Sequence, residues 1–197
     1  MSVEVRIVEM ELLLASTSPA RRALMDSLGV PYRAVSPQVD EDVPVGTSTR
    51  DAVAMLARRK AEAVRRSFPK ACVIGADQLV DVDGVSLSKP KDRAEAKAQL
   101  RRLLGRTHDI LTGVCVLAPG FVGECVDVAR PTFHAAGDDE LERYVALEEW
   151  RGCAGGYRIE SKGQALVAKL EGDRTSVQGL PMIAVVALLR EAGVRFF

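Results

Sequence analysis

Cysteine is scarce and scattered. Cys72, Cys115, Cys125 and Cys153 form no C-x-x-C pair, which excludes a thioredoxin-type motif or a cysteine-rich zinc module. It leaves them to be read as small buried hydrophobes in a reduced compartment. The two histidines, His108 and His134, lack H-x-x-H spacing and do not make a zinc site. Net charge is absent: 27 lysines and arginines balance 27 aspartates and glutamates. A duplex nucleic-acid binder needs clustered, unpaired positive charge, and with aromatics at only 5% the stacking surfaces for single strands are few as well. No apolar run is long enough to cross a bilayer; "GLPMIAVVALL" near the C-terminus falls well short. The opening "MSVEVRIVEM" alternates apolar and charged residues and lacks the apolar core of a signal peptide. A cytoplasmic protein with no nucleic-acid or membrane partner is expected. Neither G-x-x-x-x-G-K-[ST] nor G-x-G-x-x-G occurs, so no P-loop or dinucleotide fingerprint is present. "DVDG" lacks the remaining ligands of an EF-hand, and neither histidine stands near a nucleophile elbow.

What is present is enough apolar mass, 47% of 197 residues, for one core or two lobes sharing a sheet. A single domain over residues 1–197 is expected, with residues 1–9 before Met10 as an extra edge strand or an upstream-start extension. "LLLA" at 12–15 predicts a buried strand. Ser18 then reads as an N-cap and Pro19 as the first residue of a helix closing at Gly29. "PYRAVSP" predicts a second strand, followed by the acidic loop "QVDEDVPVG" and a long helix over 49–67. "ACVIGAD" predicts a buried central strand, and "QLVDVDGVSLS" a hairpin turning at Asp83-Gly84. Asp92 caps a helix running to about Leu104. Two long antiparallel strands span "THDILTGVCVLAPGFVGECVDVARPTFHA", and "GDDELERYVAL" is an acid-started helix. The glycine-rich "RGCAGGYRIESKGQ" leads to a strand "ALVAKL" and a loop "EGDRTSVQ", and Pro181 opens a last helix ending by Gly193. The predicted fold is α/β: a mixed, twisted sheet with flanking helices, two lobes around a cleft.

Charged residues in apolar positions point to function. On a wheel at about 100° per residue, Arg21 falls between Met25 and Leu28, while Arg22 points away. Lys60 sits in the middle of the stripe formed by Val53, Leu56, Ala57, Val64 and Phe68; Arg58, Arg59, Arg65 and Arg66 lie off it and read as a solvated face. A buried ammonium must reach water, an acid or an anion. Asp77 follows "CVIGA" at the expected carboxyl end of a central strand, where ligands of open α/β sheets bind. Asp40, Glu41 and Asp42 offer hard oxygen ligands near it, and Lys89 and Lys91 flank Pro90 in "SKPKD". Ser16, Ser18, Arg21, Lys60 and Lys89 for an anion, with Glu41 and Asp77 for a metal and a base, make an inventory for phosphoryl chemistry.

These residues lie in segments that resemble the Maf (septum-formation) family of nucleoside triphosphate pyrophosphatases: "LLLASTSPARRALMDSLG", "QVDED", "RRKAEAV", "VIGADQLV", "LSKPKD", "GRTHDILTG", "CAGGYRIESKG" and "VQGLPMIAVVALL". The resemblance implies a fold related to inosine-triphosphate pyrophosphatases, often dimeric, and Mg²⁺- or Mn²⁺-dependent hydrolysis of a nucleoside triphosphate to monophosphate and pyrophosphate. It implies that Asp77 accepts the proton of a water attacking the α-phosphate. Ser16, Arg21, Lys60 and Lys89 would hold the triphosphate, and Glu41 with Asp77 the metal. For base choice, Gln78 and Glu160 resemble the 7-methyl-GTP branch rather than the dTTP/UTP branch, whose motifs are G-A-D-T and Y-x-I-Q-G. Ala20 departs from the 7-methyl-GTP branch, which carries a tryptophan there, and "Tyr157-Arg158-Ile159" is similar to the dTTP/UTP branch. A 7-methyl-GTP pyrophosphatase is the expectation. The alternatives are a dTTP/UTP enzyme of the same family and a non-catalytic nucleotide- or protein-binding regulator of septum formation.

Overall fold

Short apolar runs alternating with helices bury themselves by stacking as a sheet covered on both faces. The computed structural model describes residues 10–196 and has this arrangement; the expectation for residues 1–9 lies outside the described residues. Strand β1 (Leu12–Ala15) is buried at every position. Helix α1 (Pro19–Asp26) starts as predicted, with Ser18 Oγ accepting from the Arg21 backbone N–H, and a turn carries the chain on to Gly29 at φ +66°. There follow β2 (Arg33–Val35), α2 (Thr49–Ser67), β3 (Cys72–Val82), β4 (Val85–Leu87), α3 (Arg93–Leu103), β5 (Asp109–Ala118), β6 (Phe121–Phe133) and α4 (Asp138–Ala146). The last elements are β7 (Val167–Glu171), α5 (Arg174–Val177) and α6 (Met182–Glu191).

The sheet runs β2-β1-β3-β5-β6-β7, with β4 also on β3. Strands β2, β1 and β3 are parallel; β5, β6 and β7 continue antiparallel. On one face, Leu13, Ala15, Val73, Cys115 and Leu117 pack on Ala57, Ala61 and Val64 of α2. On the other, Leu12, Leu14, Ile74 and Val116 pack on Met25 of α1 and Val185 and Leu189 of α6. The far end of the sheet carries a second lobe, where Val80, Val82, Ile110 and Phe133 meet α3, α4, Trp150 and Tyr157.

Three boundaries differ from the sequence reading. The strand ending at Asp77 and the first arm of the hairpin are one continuous β3, so Asp77 lies mid-strand rather than at a carboxyl end. The turn at Asp83-Gly84 is as expected, both residues at positive φ. The strand read over "ALVAKL" begins only at Val167, because Lys162–Leu166 form a 3₁₀ turn. The loop "EGDRTSVQ" holds the single-turn α5, capped by Asp173 on Thr175 N; one turn is too short to show a helical period.

Two glycines set how closely α2 lies on the sheet. A Cβ on Gly75 would stand 2.2 Å from the Ala57 carbonyl oxygen, and one on Gly113 2.3 Å from that of Val53. Only hydrogen at both positions lets the helix backbone rest on β3 and β5. Gly75→Ala is therefore expected to destabilise the protein by about 1–3 kcal/mol, toward the upper end because the contact is with backbone; urea melts of the variant and parent check it.

His108 is buried in the second lobe, edge-on to Phe133 and Tyr157, with Nε2 3.0 Å from Tyr157 Oη. Burial lowers its pKa from 6.5 to about 4. Between those values the unfolded chain binds a proton that the folded chain does not, so stability falls as pH drops from about 6.5 to about 4. His108→Gln should flatten this part of the stability–pH curve, as read by denaturant midpoints across the interval.

Candidate active site

The sheet is interrupted along one edge of β3. Strand β1 accompanies β3 only as far as Gly75, opposite Ala15, and β4 joins the same edge only from Val80. The opposite edge of β3 is paired with β5 from Val73 to Asp81. Residues between Gly75 and Val80 thus face an opening between the lobes, a cleft of about 380 Å³. Alternation along the strand then sorts the side chains. Asp77 shares a face with Gly75 and points toward α2, and Gln78 points to the other side.

On the α2 side, Lys60 Nζ lies 2.5 Å from Asp77 Oδ1 and 2.6 Å from Glu41 Oε1. The Lys60 and Asp77 side chains are 7% and 11% exposed, so this pair is desolvated; Glu41 approaches from the solvent side at 55%. Partial burial pushes the Glu41 pKa up, but the Lys60 ammonium, with Lys89 and Arg21 beyond it, outweighs that and leaves it lowered. Glu41 is therefore a carboxylate at neutral pH. Of the three acidic residues that the sequence offers as oxygen ligands near Asp77, the loop delivers this one alone to the cleft wall: Asp40 and Asp42 do not line it.

On the other side, the Gln78 amide donates to the carbonyls of Ser176 at 2.5 Å and Val177 at 3.2 Å, and Thr112 Oγ1 donates to Ser176 O. These bonds tie the end of α5 to the sheet. The next residues bring Gly179, whose carbonyl accepts from Arg21 Nε at 2.7 Å. Arg21 is thereby aimed along the cleft, while Arg22 turns out to the Thr17 carbonyl. Removal from water lowers the Arg21 pKa, with the charges of Asp77 and Glu41 opposing.

The turn after β1 contributes hydroxyls. Ser16 Oγ accepts the Ser18 N–H at 3.1 Å, and Ser18 Oγ accepts the Arg21 N–H. Each hydroxyl spends an acceptor on backbone and keeps its proton as a donor, the polarity an anion needs. Ser16, Ser18, Ala20, Arg21, Glu41, Lys60, Asp77, Gln78, Lys89 and Glu160 all line this one cleft. Strand, helix and loop residues as far apart as Ser16 and Glu160 are thus brought together.

Sequence reasoning singled out neither Arg151 nor Gly179 of the lining, and met Arg158 only within "Tyr157-Arg158-Ile159". Arg158 Nε lies 3.1 Å from Cys153 Sγ and its Nη2 donates to the Arg151 carbonyl. Burial raises the Cys153 pKa, with the Arg158 guanidinium opposing. The glycine-rich segment carrying these residues has no period to read; its signal was only the density of glycine. Arg59, read as part of a solvated face, is instead bonded to the acidic loop.

Two carboxylate oxygens converging on one cationic point is the donor arrangement a hard divalent ion uses. Mg²⁺ commonly takes one or two carboxylates, with phosphate and water filling the remaining positions. No cluster of three His, Cys, Asp or Glu side chains suited to a metal occurs among the described residues. Glu41 and Asp77 fit such an ion only together with oxygens from a bound substrate.

Comparison with known proteins gives these residues a context. Residues 11–192 match the family described as Maf-like protein. The chain is 38% identical to a dTTP/UTP pyrophosphatase of Bacillus velezensis over 184 residues, covering 93% of this chain and 97% of that one. It is 40% identical to a 7-methyl-GTP pyrophosphatase of Polaromonas over 189 residues, covering 94% and 86% respectively. Among solved structures, the Staphylococcus aureus Ham1 protein superposes with a TM-score of 0.52 at 15% identity, over 92% of this chain and 96% of that one, a likeness of fold. No helix among the described residues is long and apolar enough to cross a membrane. The mixed sheet, the cleft at the break in it and the match over nearly the whole chain have one reading: the protein belongs to the Maf-like family.

Proposed function

We propose that the protein hydrolyses a nucleoside triphosphate to the monophosphate and pyrophosphate, by attack of water at the α-phosphate. The observation that carries this reading is the buried Lys60 held between Asp77 and Glu41, in a cleft that also presents Arg21, Lys89 and two donor hydroxyls. Ser16, Ser18, Arg21, Lys60 and Lys89 hold phosphate oxygens. Asp77 has Oδ1 on Lys60; its Oδ2 is the oxygen assigned to the proton of the attacking water. One bond forms between water oxygen and the α-phosphorus, and the bond from that phosphorus to the bridging oxygen breaks. Pyrophosphate leaves with that oxygen. Glu41 and Asp77 would hold a divalent ion, which when bound would neutralise charge on the phosphate oxygens.

For the base, the reading is 7-methylguanine. Glu160 is an exposed carboxylate on the cleft wall, a suitable acceptor for the N1 and N2 donors of a cationic purine. Ala20 also lines the cleft and offers no ring to stack on a base. A pyrimidine nucleotide is the second reading, supported by "Tyr157-Arg158-Ile159" and by relatives named dTTP/UTP pyrophosphatase. A homodimer in a cytoplasmic setting completes the proposal.

Turnover of a panel of nucleotides with Mg²⁺ or Mn²⁺, read as pyrophosphate release, tests the substrate. 7-methyl-GTP should lead, and strong dTTP or UTP turnover without it would sink the assignment. Asp77→Asn should keep nucleotide binding and lose about 100- to 10,000-fold in kcat, the range for removal of a general base. Undiminished hydrolysis would remove Asp77 from its role. Nucleotide binding with no hydrolysis in the parent protein would favour a non-catalytic regulator.

A further inference from the structure

Glu41 reaches the cleft from a stretch without regular structure. Residues 36–48 form neither helix nor strand, Gln38 stands at φ +43°, and Val45 is fully exposed. A carboxylate on such a stretch is free to wander, and wandering is incompatible with a ligand that must sit within a few tenths of an ångström. Two contacts hold it. One is the side chain on Lys60. The other is backbone: Arg59 Nη1 donates to the Asp40 carbonyl at 2.8 Å and to the Asp42 carbonyl at 2.9 Å. One Nη carries two protons, so a single nitrogen satisfies both acceptors. The bonded carbonyls belong to the residues immediately before and after Glu41. Asp42 N–H further closes on Asp40 Oδ1 at 2.9 Å, making a small rigid turn. Arg59 and Lys60 are neighbours on α2, itself pressed on the sheet by Gly75 and Gly113. The helix that supplies the cleft's buried ammonium thus also supplies the clamp for the opposing carboxylate.

We propose that Arg59 is a positioning residue for the divalent ion of this cleft, acting through Glu41 by fixing the backbone on both sides of it. The proposal rests on the reading of Glu41 as a metal ligand given above. Arg59 itself touches neither ion nor substrate. Both bonds leave one nitrogen held out by a planar guanidinium; a lysine ammonium has protons enough for both carbonyls but sits on a shorter, freely rotating stem, and so restores the clamp only in part.

Two measurements on the full chain test it. Mn²⁺ affinity is measured by titration with a non-hydrolysable α,β-methylene nucleoside triphosphate present. Arg59→Met, which keeps the apolar stem, should weaken Mn²⁺ by about 10- to 100-fold, the usual cost of losing a ligand's support, and Arg59→Lys should fall between. In a Glu41→Gln background Arg59→Met should add less than about twofold, since two changes acting on one contact are not additive. Amide hydrogen exchange over residues 38–43, without metal or nucleotide, should rise in Arg59→Met and not in Glu62→Gln, a change on the same helix. Unchanged exchange and unchanged affinity in a folded Arg59→Met overturn the clamp. If Arg59→Met loses the fold, Arg59→Gln, whose amide is too short to reach either carbonyl, carries the test, and wild-type exchange and affinity there overturn the clamp equally. Raised exchange with Glu41→Gln leaving Mn²⁺ affinity intact overturns the metal reading of Glu41 and hence the role assigned to the clamp, while the clamp's hold on the loop stands. An Arg59→Met effect undiminished in the Glu41→Gln background overturns the route through Glu41.

Discussion

A buried ammonium between two carboxylates is the constraint on which the rest of this structure depends. Lys60 occupies a helix position that packing alone would give to leucine or alanine, and a charge there is tolerated only when fully compensated. Compensation comes from Asp77 on the sheet and Glu41 on a loop, which obliges three separate parts of the chain to meet at one point. The helix must lie unusually close to β3, and Gly75 and Gly113 permit it. The strand must be unpaired along one edge where Asp77 stands, and the short β1 and late β4 provide that. The cleft follows from these requirements.

The opposite wall is organised by hydrogen bonds rather than by charge. Gln78 and Thr112 fasten α5, α5 sets the carbonyl of Gly179, and that carbonyl aims Arg21. Substitutions in the 174–179 segment therefore act on a cation they do not resemble. The two walls differ in what they demand of sequence: one needs particular charges, the other needs backbone carbonyls in register. Neutral overall composition is consistent with this economy, since the positive charge that matters is local and partnered.

Much of the site was legible because it violates local rules. Lys60 within an apolar stripe, Arg21 on the inner side of its helix and Asp77 after a buried run are each anomalies visible from periodicity. Ser18 and Pro19 announced the start of α1 by capping chemistry. Other parts were silent. The Arg59 clamp bonds to carbonyls, which carry no sequence identity, and so looked like one more solvated arginine. Arg151 and Arg158 lie in a glycine-rich stretch that has no period, and α5 is a single turn. The misplacement of Asp77 at a strand end has a specific cause: "GADQLV" continues as strand because β5 pairs it throughout, although β1 does not.

The amino-acid sequence by itself determined the order of helices and strands, the neutrality that disfavours nucleic acid, and the set of charges that packing alone would not leave inside. Those are properties of each segment's own pattern and chemistry. Glu41 was already singled out from the sequence; only the tertiary structure decided that it and the other charges share one cleft, that Asp40 and Asp42 stay off its wall, and that Arg59 holds the loop in place. These depend on sheet register, on hydrogen-only contacts between helix and strand, and on backbone carbonyls, none of which a side-chain alphabet records.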